Sequence, residues 1–344
     1  APEATLELLP GEPTKRTLWE QRKASLGVGS LALPDGRALS YHIDGDLGSG
    51  KPVVLLLHGM LSSRLVWLLE DAPDRCTFIA VDRPGYADSS TPCAGYSYTR
   101  FARDVEALMD SLGVGEFCVI GHSSGGPYAL AVAAVLGPAR VRSVACLGGD
   151  TEYAHPSPET PLDPVAKDLL RCFASPLRKL WTPVFVPFLL RLGCLFFWLM
   201  KRLAGRRTHH LVWTMLSSAE RVMWKDRDGD NFFQLSLVES TRSAVLPTPA
   251  RSGMGGMVTD FRLERSRRFD FDARSIGCKV VLWSGEHDAA CLEPTMFNHS
   301  TLCPGSELHI VPGLGHLGVL SADVLGALVG RTLEAAGFKQ AAKM

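Results

Sequence analysis

The string Gly121-His122-Ser123-Ser124-Gly125-Gly126 has the residue types and spacing that point most directly to chemistry. An apolar run over residues 117–120 precedes it, and a pattern typical of a helix begins at Pro127. A serine in such a GxSxG pattern lies on a sharp turn between a strand and a helix, where glycines on both sides avoid collisions. The string therefore predicts that Ser123 is an exposed nucleophile.

Two later loops contain the groups that a serine nucleophile needs. Asp288 lies in the loop after the apolar run 279–283, and His316 lies in the loop after the run 308–311. The order serine, acid, histidine along the chain is the one that accompanies a GxSxG serine. We therefore predict that His316 accepts the proton of Ser123 and that Asp288 orients the imidazole and stabilises its charged form.

A tetrahedral oxyanion needs backbone N–H donors that are already in place. The amide of Ser124, directly after the nucleophile, is the first predicted donor. The second is the amide of Met60, in the loop His58-Gly59-Met60 that follows the apolar run Val53–Leu57.

Other acids and histidines have simpler interpretations. Asp150 also ends an apolar run and is the alternative acid, and Glu286 is a weaker alternative. The pair His209-His210 has no acid or cysteine nearby, so we interpret it as a packed or solvated pair rather than a metal site. The sequence predicts neither a metal nor a cofactor.

The elements that must position these residues follow from the hydrophobic pattern. Continuous apolar runs of strand length alternate with helical patterns, which predicts a mostly parallel sheet with helices on both faces. Pro34-Asp35-Gly36 is typical of a turn, and predicts that an antiparallel hairpin opens the sheet. The predicted strands are 27–33, 37–42, 53–57, 77–81, 117–120, 141–147, 279–283 and 308–311, with helices at 101–112 and 321–336.

Taken together, these strings resemble the α/β-hydrolase fold superfamily, in its capped serine hydrolase and esterase branch. The resemblance covers residues 25–340 and implies an α/β fold with a mostly parallel twisted sheet and a Ser-His-Asp triad. The strings that carry it are His58-Gly59, Asp82-Arg83-Pro84-Gly85-Tyr86-Ala87-Asp88-Ser89, 121–126, Gly285-Glu286-His287-Asp288 and Gly315-His316.

The alternation of predicted strands and helices is interrupted between about residues 151 and 265. We predict an N-terminal extension over 1–25, a hydrolase core formed by 26–150 and 266–344, and a helical cap over 151–265. Such an insertion has the right size to cover the catalytic edge of the sheet.

The predicted cap has an unusual charge distribution. Residues 169–219 contain no acid and eight basic residues, and within them 184–200 is nearly all apolar. Seventeen helical residues span about 25 Å, short of the roughly 30 Å hydrocarbon core of a bilayer. We therefore predict a cap helix over the site, with apolar residues and basic flanks that suit peripheral contact with an anionic membrane. The basic residues are Arg171, Arg178, Lys179, Arg191, Lys201, Arg202, Arg206 and Arg207.

Composition narrows the class of protein further. The chain has 36 basic and 36 acidic residues, so its balanced charge does not indicate a nucleic-acid partner. Its nine cysteines contain no CxxC pair, which predicts buried thiols in the cytoplasm or another reducing compartment. The chain does not begin with methionine, which leaves open a targeting segment upstream of it.

These observations predict a serine esterase that acts on a small ester with an apolar acyl part. The same triad also serves C–C bond hydrolases, thioesterases and acyltransferases, which the sequence leaves open. A peptidase of the proline aminopeptidase type is a further alternative, although such members typically carry tryptophan where this chain has Ser124. Members that attack epoxides use an aspartate in the position of Ser123. A non-catalytic binding protein on this fold is disfavoured by the ordered Ser, Asp and His.

Overall fold

An eight-stranded sheet forms the centre of the protein. The computed structural model describes residues 14–71, 73–161, 221, 232–245, 255–266 and 268–338. The strand order is β1-β2-β4-β3-β5-β6-β7-β8. The strands are β1 (Gly29–Ala32), β2 (Ala38–Asp44), β3 (Val53–Leu57), β4 (Thr77–Val81), β5 (Phe117–His122), β6 (Val141–Leu147), β7 (Lys279–Gly285) and β8 (Glu307–Val311).

The pairing of the strands is mostly parallel. Strands β1 and β2 form an antiparallel hairpin, and β2 also pairs with β4 in antiparallel fashion. Strands β4, β3, β5, β6, β7 and β8 are parallel to one another. The predicted fold class is confirmed. Because the strands from β3 onward are parallel, the loops after β5, β7 and β8 leave the same edge of the sheet.

Seven α-helices are described. They are α1 (Lys15–Leu26), α2 (Tyr98–Ser111), α3 (Gly125–Leu136), α4 (Phe232–Val245), α5 (Gly255–Ser266), α6 (Leu292–Phe297) and α7 (Ala322–Ala335). Ser97 begins α2 by accepting the N–H of Arg100 through its hydroxyl, which explains why this helix starts before the predicted residue 101.

Both faces of the sheet are covered, which is why its strands are continuous apolar runs. All five residues of β3 are buried, and they alternate between two hydrophobic clusters. Val53, Leu55 and Leu57 pack in the cluster that contains α2 and α3. Val54 and Leu56 pack in the cluster that contains α7. The alternation follows from the period of two in a strand.

The N-terminal extension contributes an ordered helix. Trp19 of α1 is fully buried, and its indole N–H donates to the hydroxyl of Ser236 on α4 at 2.9 Å. Arg22 of α1 also pairs with Asp44 at the end of β2. The extension therefore fastens α4 to the core.

Much of the predicted cap lies outside the described residues. These parts include the apolar segment 184–200, the eight basic residues and His209-His210, so the predictions made on them stay predictions. The described parts of 151–265 include α4 and α5. Within the described residues, none of the helices combines the length and the apolar character that crossing a membrane requires.

Candidate active site

Ser123 lies on the predicted turn between β5 and α3. The prediction that it is exposed is wrong for the described residues, because the loops of Gly59 and His316 pack against it and leave it 8% exposed. Its backbone has φ +53°, in the left-handed region that a residue with a side chain seldom adopts. Its N–H donates to the carbonyl of Leu147 at 3.0 Å, and its carbonyl accepts from Gly126 at 2.8 Å. These bonds hold a strained conformation of the kind that functional sites retain at about 1–3 kcal/mol each.

The glycines of the GxSxG string are required by close backbone contacts. A Cβ on Gly121 would lie 2.2 Å from the carbonyl oxygen of Gly125. A Cβ on Gly125 would lie 2.5 Å from the carbonyl oxygen of Leu57. A side chain at Gly121 would push β5 away from α3, and one at Gly125 would push α3 away from β3. Either change would move Ser123.

The structure brings the three predicted catalytic side chains into one hydrogen-bonded row. The Oγ of Ser123 lies 3.0 Å from Nε2 of His316, and Nδ1 of His316 lies 2.9 Å from Oδ2 of Asp288. With Nδ1 donating to the carboxylate, Nε2 is the acceptor for the serine hydroxyl. The row therefore has the proton arrangement of a nucleophile, a base and an orienting acid.

Asp288 is held by two backbone donors in addition to the imidazole. Its Oδ1 accepts from the N–H of Ala290 at 3.0 Å and from that of Cys291 at 2.8 Å. Burial by itself raises the pKa of this carboxyl, but His316 and the two amides outweigh burial and hold the pKa below its ordinary value. Asp288 is therefore ionised at neutral pH and fixed in orientation.

The predicted oxyanion donors are the amides of Ser124, next to the serine in the chain, and of Met60, in a loop close to it. Gly59 lies so close that a Cβ on it would be 2.8 Å from the Cβ of Ser123, which places the Met60 loop beside the nucleophile. In the described part of the chain, no acceptor takes the backbone N–H of Met60 or of Ser124. Their role as oxyanion donors stays a prediction.

The alternative acids have other partners. The carboxylate of Asp150 accepts from the hydroxyl of Ser124 at 3.2 Å, from the hydroxyl of Tyr153 and from the thiol of Cys291 at 3.8 Å. Glu286 accepts the N–H of Gly313 at 2.9 Å and so fixes the loop after β8.

Two residues without a predicted catalytic role support His316. Gly148, with φ +52°, leaves no room for a side chain, because a Cβ on it would lie 2.9 Å from Oδ2 of Asp288. His122 is buried, and its Nε2 donates to the backbone carbonyl of His316 at 3.1 Å. Burial, followed by the charge of His316, lowers the pKa of His122 to about 3, so this ring is neutral. The glycine pair Gly148-Gly149 after β6 was the available sequence signal.

One group of side chains in the described residues has the proximity of a metal site. Donor atoms of Asp288, Cys291 and His316 lie within 4.8 Å of one another. The carboxylate and the imidazole already bind each other, and the imidazole also binds Ser123. The prediction that the protein uses neither a metal nor a cofactor stays a prediction.

Comparison with known families agrees with this geometry. The family model described as the alpha/beta hydrolase fold matches residues 52–323 of the chain. The chain belongs to the α/β hydrolase fold family. The predicted superfamily is thus confirmed, and the match includes the Ser123, Asp288 and His316 positions.

Two proteins are similar to parts of this chain. A Cupriavidus necator protein named as the dihydrolipoyllysine-residue acetyltransferase component of an acetoin cleaving system is 40% identical over 100 residues, 28% of this chain and 26% of that protein. A 2-(acetamidomethylene)succinate hydrolase of Mesorhizobium japonicum is 37% identical over 102 residues, 29% of this chain and 36% of that protein. The matched segments therefore span about a quarter to a third of these two relatives.

Solved structures show the same fold over nearly the whole chain. An esterase from a Rhodococcus species superimposes with a TM-score of 0.59 at 18% identity, and covers 91% of this chain and 99% of the esterase. At this identity the likeness concerns the fold.

Proposed function

We propose that this α/β hydrolase is a serine hydrolase that cleaves a carboxylic ester with an apolar acyl part. The observation that carries the proposal is the row formed by Ser123, His316 and Asp288, with distances of 3.0 and 2.9 Å between successive side chains. The fold shared with the Rhodococcus esterase and the hydrolase name of the Mesorhizobium relative support the same reaction class.

The reaction follows from the donors and acceptors in this row. His316 takes the hydroxyl proton as Oγ of Ser123 attacks the ester carbonyl, and the amides of Met60 and Ser124 donate to the oxyanion. As the tetrahedral intermediate collapses, His316 gives the proton to the leaving alcohol and an acyl-enzyme remains. Water then attacks the acyl-enzyme with His316 as base, which releases the acid and regenerates Ser123. Asp288 stabilises the imidazolium formed in both steps.

Acyl transfer is the second candidate, because the Cupriavidus relative is named as an acetyltransferase component. The two reactions differ only in whether water or another nucleophile receives the acyl group. An added alcohol or thiol acceptor separates them, since a transferase forms the new ester or thioester in preference to the acid. Thioester and C–C substrates belong in the same panel.

The nucleophile is tested with a fluorophosphonate probe and a series of p-nitrophenyl esters from acetate to dodecanoate. Ser123→Ala should abolish labelling and nearly all turnover, because no other group can form the acyl-enzyme. Ser124→Ala is the matched control, since it keeps the backbone N–H of residue 124 and should still be labelled. Labelling of Ser124 in the Ser123→Ala protein, or undiminished turnover, would refute the assignment.

The apolar acyl part is proposed from residues 184–200, which are nearly all apolar in the sequence. Each methylene buried in such a pocket contributes up to about 0.8 kcal/mol, or roughly fourfold in kcat/KM, until the pocket is full. A chain-length profile that stays flat would contradict this part of the proposal.

Peripheral contact with an anionic membrane is proposed from the basic residues of 169–219. Anionic vesicles should bind the protein or raise its activity, and salt should weaken the effect because exposed charges are screened over about 8–10 Å. Replacing Lys201, Arg202, Arg206 and Arg207 together with Gln should reduce the vesicle effect and leave hydrolysis of soluble esters unchanged. Indifference to vesicles at low salt would contradict the contact.

A further inference from the structure

Helix α5 places a fully buried acid behind the oxyanion loop. Asp260 is 1% exposed, and its carboxylate accepts from Nη1 and Nη2 of Arg83 at 2.7 and 2.9 Å. The hydroxyls of Tyr86 and Tyr128 donate to the same carboxylate, the latter at 2.9 Å. An acid and an arginine that are both buried need such complete pairing, because removing one partner of a buried pair costs about 3–5 kcal/mol.

The remaining donor of this guanidinium reaches the oxyanion loop. Nε of Arg83 donates to the carbonyl of His58 at 2.7 Å, and the backbone N–H of Arg83 donates to Nε2 of His58 at 3.0 Å. The His58 carbonyl also lies against α3, where a Cβ on Gly125 would be 2.6 Å from its oxygen. The His58 peptide thus lies between the Met60 loop and the first turn of α3.

Helix α5 also touches the loop of Arg83 directly. The N–H of Gly256 donates to the carbonyl of Gly85 at 3.3 Å. A Cβ on Gly85 would lie 2.2 Å from the nitrogen of Gly256, so no side chain fits between the two backbones. Helix α5 and the loop that carries Arg83 are therefore in direct backbone contact.

We propose that Asp260 is a positioning residue for the oxyanion site: it holds Arg83 so that Nε fixes the His58 carbonyl and, with it, the Met60 amide. The proposal rests on the proposed function, because an oxyanion forms beside Met60 only when Ser123 attacks a carbonyl.

The chain contains a matched control for this cluster. Nη1 and Nη2 of Arg37 donate to Asp104 at 2.7 and 2.8 Å, and the hydroxyl of Tyr96 donates to Asp104 at 2.9 Å. The guanidinium lies over the Tyr96 ring at 5.0 Å, as that of Arg83 lies over the Tyr86 ring at 4.9 Å. The difference is the third donor, because Nε of Arg37 binds Asp35 in the β1–β2 turn at 2.8 Å.

The test compares Asp260→Asn with Asp104→Asn in the full chain. Both should lower the melting temperature, but only Asp260→Asn should lower kcat, by about tenfold or more with KM nearly unchanged, because an oxyanion site acts on the transition state. It should also slow fluorophosphonate labelling and weaken inhibition by a trifluoromethyl ketone, which forms an oxyanion on Ser123. Equal kcat losses in the two variants, or no loss in Asp260→Asn, would overturn the proposal.

Further variants keep the test decisive if Asp260→Asn does not fold. Tyr86→Phe and Tyr128→Phe each remove one donor to Asp260 and should lower kcat several-fold, while Tyr96→Phe should not. Arg83→Lys loses the fork geometry, and combining it with Tyr86→Phe should cost less in kcat than the product of the single losses, because both act through one contact. The positioning role would be contradicted if the kcat losses of Arg83→Lys and Tyr86→Phe simply multiplied in the double variant. It would also be contradicted if Tyr86→Phe and Tyr96→Phe had equal kcat values.

The design separates this proposal from the proposed function. If the wild-type protein neither hydrolyses the ester series nor reacts with the probe, both proposals are wrong. If it does both, and Asp260→Asn behaves like Asp104→Asn, only the positioning role is wrong.

Discussion

Asp150 after β6 and Asp288 after β7 are both buried at the same edge of the sheet, but their carboxylates bind different partners. Asp288 accepts from two backbone amides and from His316. Asp150 accepts from the side chains of Ser124, Tyr153 and Cys291. Cys291 contacts both acids, through its amide on one side and its thiol on the other.

A position at this edge of the sheet therefore does not by itself decide which carboxylate binds His316. Asp288 lies in a loop whose own backbone supplies two donors, which orient its carboxylate toward His316. Asp150 instead lies near Glu264 of α5, whose pKa burial and then Asp150 raise well above its ordinary value. The loop after β7 therefore presents a fixed charge, whereas the loop after β6 faces a second buried carboxyl.

The largest expected effect separates the two acids directly. Asp288→Asn should lower kcat by about 10⁴, because an amide leaves the imidazole in the wrong tautomer. Asp150→Asn should lower kcat less than about tenfold, since its partners are side chains outside the row. Steady-state kinetics on one soluble ester, with circular dichroism to verify folding, measures both. If Asp150→Asn lost most of its kcat while Asp288→Asn stayed near normal, Asp150 would be the acid that orients His316.

A substitution between the two loops should have the next largest effect. Gly148→Ala places a methyl 2.9 Å from Oδ2 of Asp288 and 3.3 Å from Nδ1 of His316, and should lower kcat by about a hundredfold by displacing that hydrogen bond. Gly137→Ala is the control, because Gly137 has φ +73° with nothing within 4 Å of its Cβ position. Both variants should lose about 1 kcal/mol or more of stability, but only the first should lose turnover. Equal kcat values would show that Gly148 does not constrain the row.

The contributions of Asp288 and Glu264 to folding stability should change with pH in opposite directions. The folded-state pKa of Asp288 is lowered, so its contribution to stability is present above the unfolded pKa and is lost as pH falls. The folded-state pKa of Glu264 is raised, so its contribution is complete below the unfolded pKa and is lost as pH rises. Glu264→Gln should therefore stabilise the protein more at about pH 8 than at about pH 5.

Urea unfolding of the wild-type and Glu264→Gln proteins at the two pH values checks this prediction. Asp288→Asn is the comparison of opposite sign, because it should destabilise the protein at neutral pH. A Glu264→Gln effect that does not change with pH would mean that Glu264 is ionised in the folded protein.

The smallest expected effect concerns the hydroxyl of Ser124. Ser124→Ala removes one hydrogen bond to Asp150 and should cost about 1 kcal/mol of stability, with turnover within about tenfold of wild type. Thermal unfolding and kcat measure the two quantities. A loss as large as that of Asp288→Asn would place the Asp150 region inside the catalytic machinery.

The hydrophobic pattern and the GxSxG spacing are enough to predict the sheet, the serine and the order of the three catalytic candidates. Buried parallel strands need continuous apolar runs, and loops after such strands must meet at one edge. The sharp turn at Ser123 needs glycines at fixed spacing, so this part of the site is specified by residues close together in the sequence. Even the control cluster is partly local, since Tyr96 and Asp104 are eight residues apart on either side of the start of α2.

The sequence predicted Asp288 but left Asp150 open, and long-range contacts show why Asp288 reaches His316 and what supports the oxyanion loop. Asp150 and Asp288 follow equivalent apolar runs, and the choice depends on amides of Ala290 and Cys291 and on the space left by Gly148. Arg83 and Asp260 are separated by 177 residues, and no local pattern marks them as partners. Their pairing arises because α5 packs on the loop after β4, and a charge buried there must find its counterion across the fold.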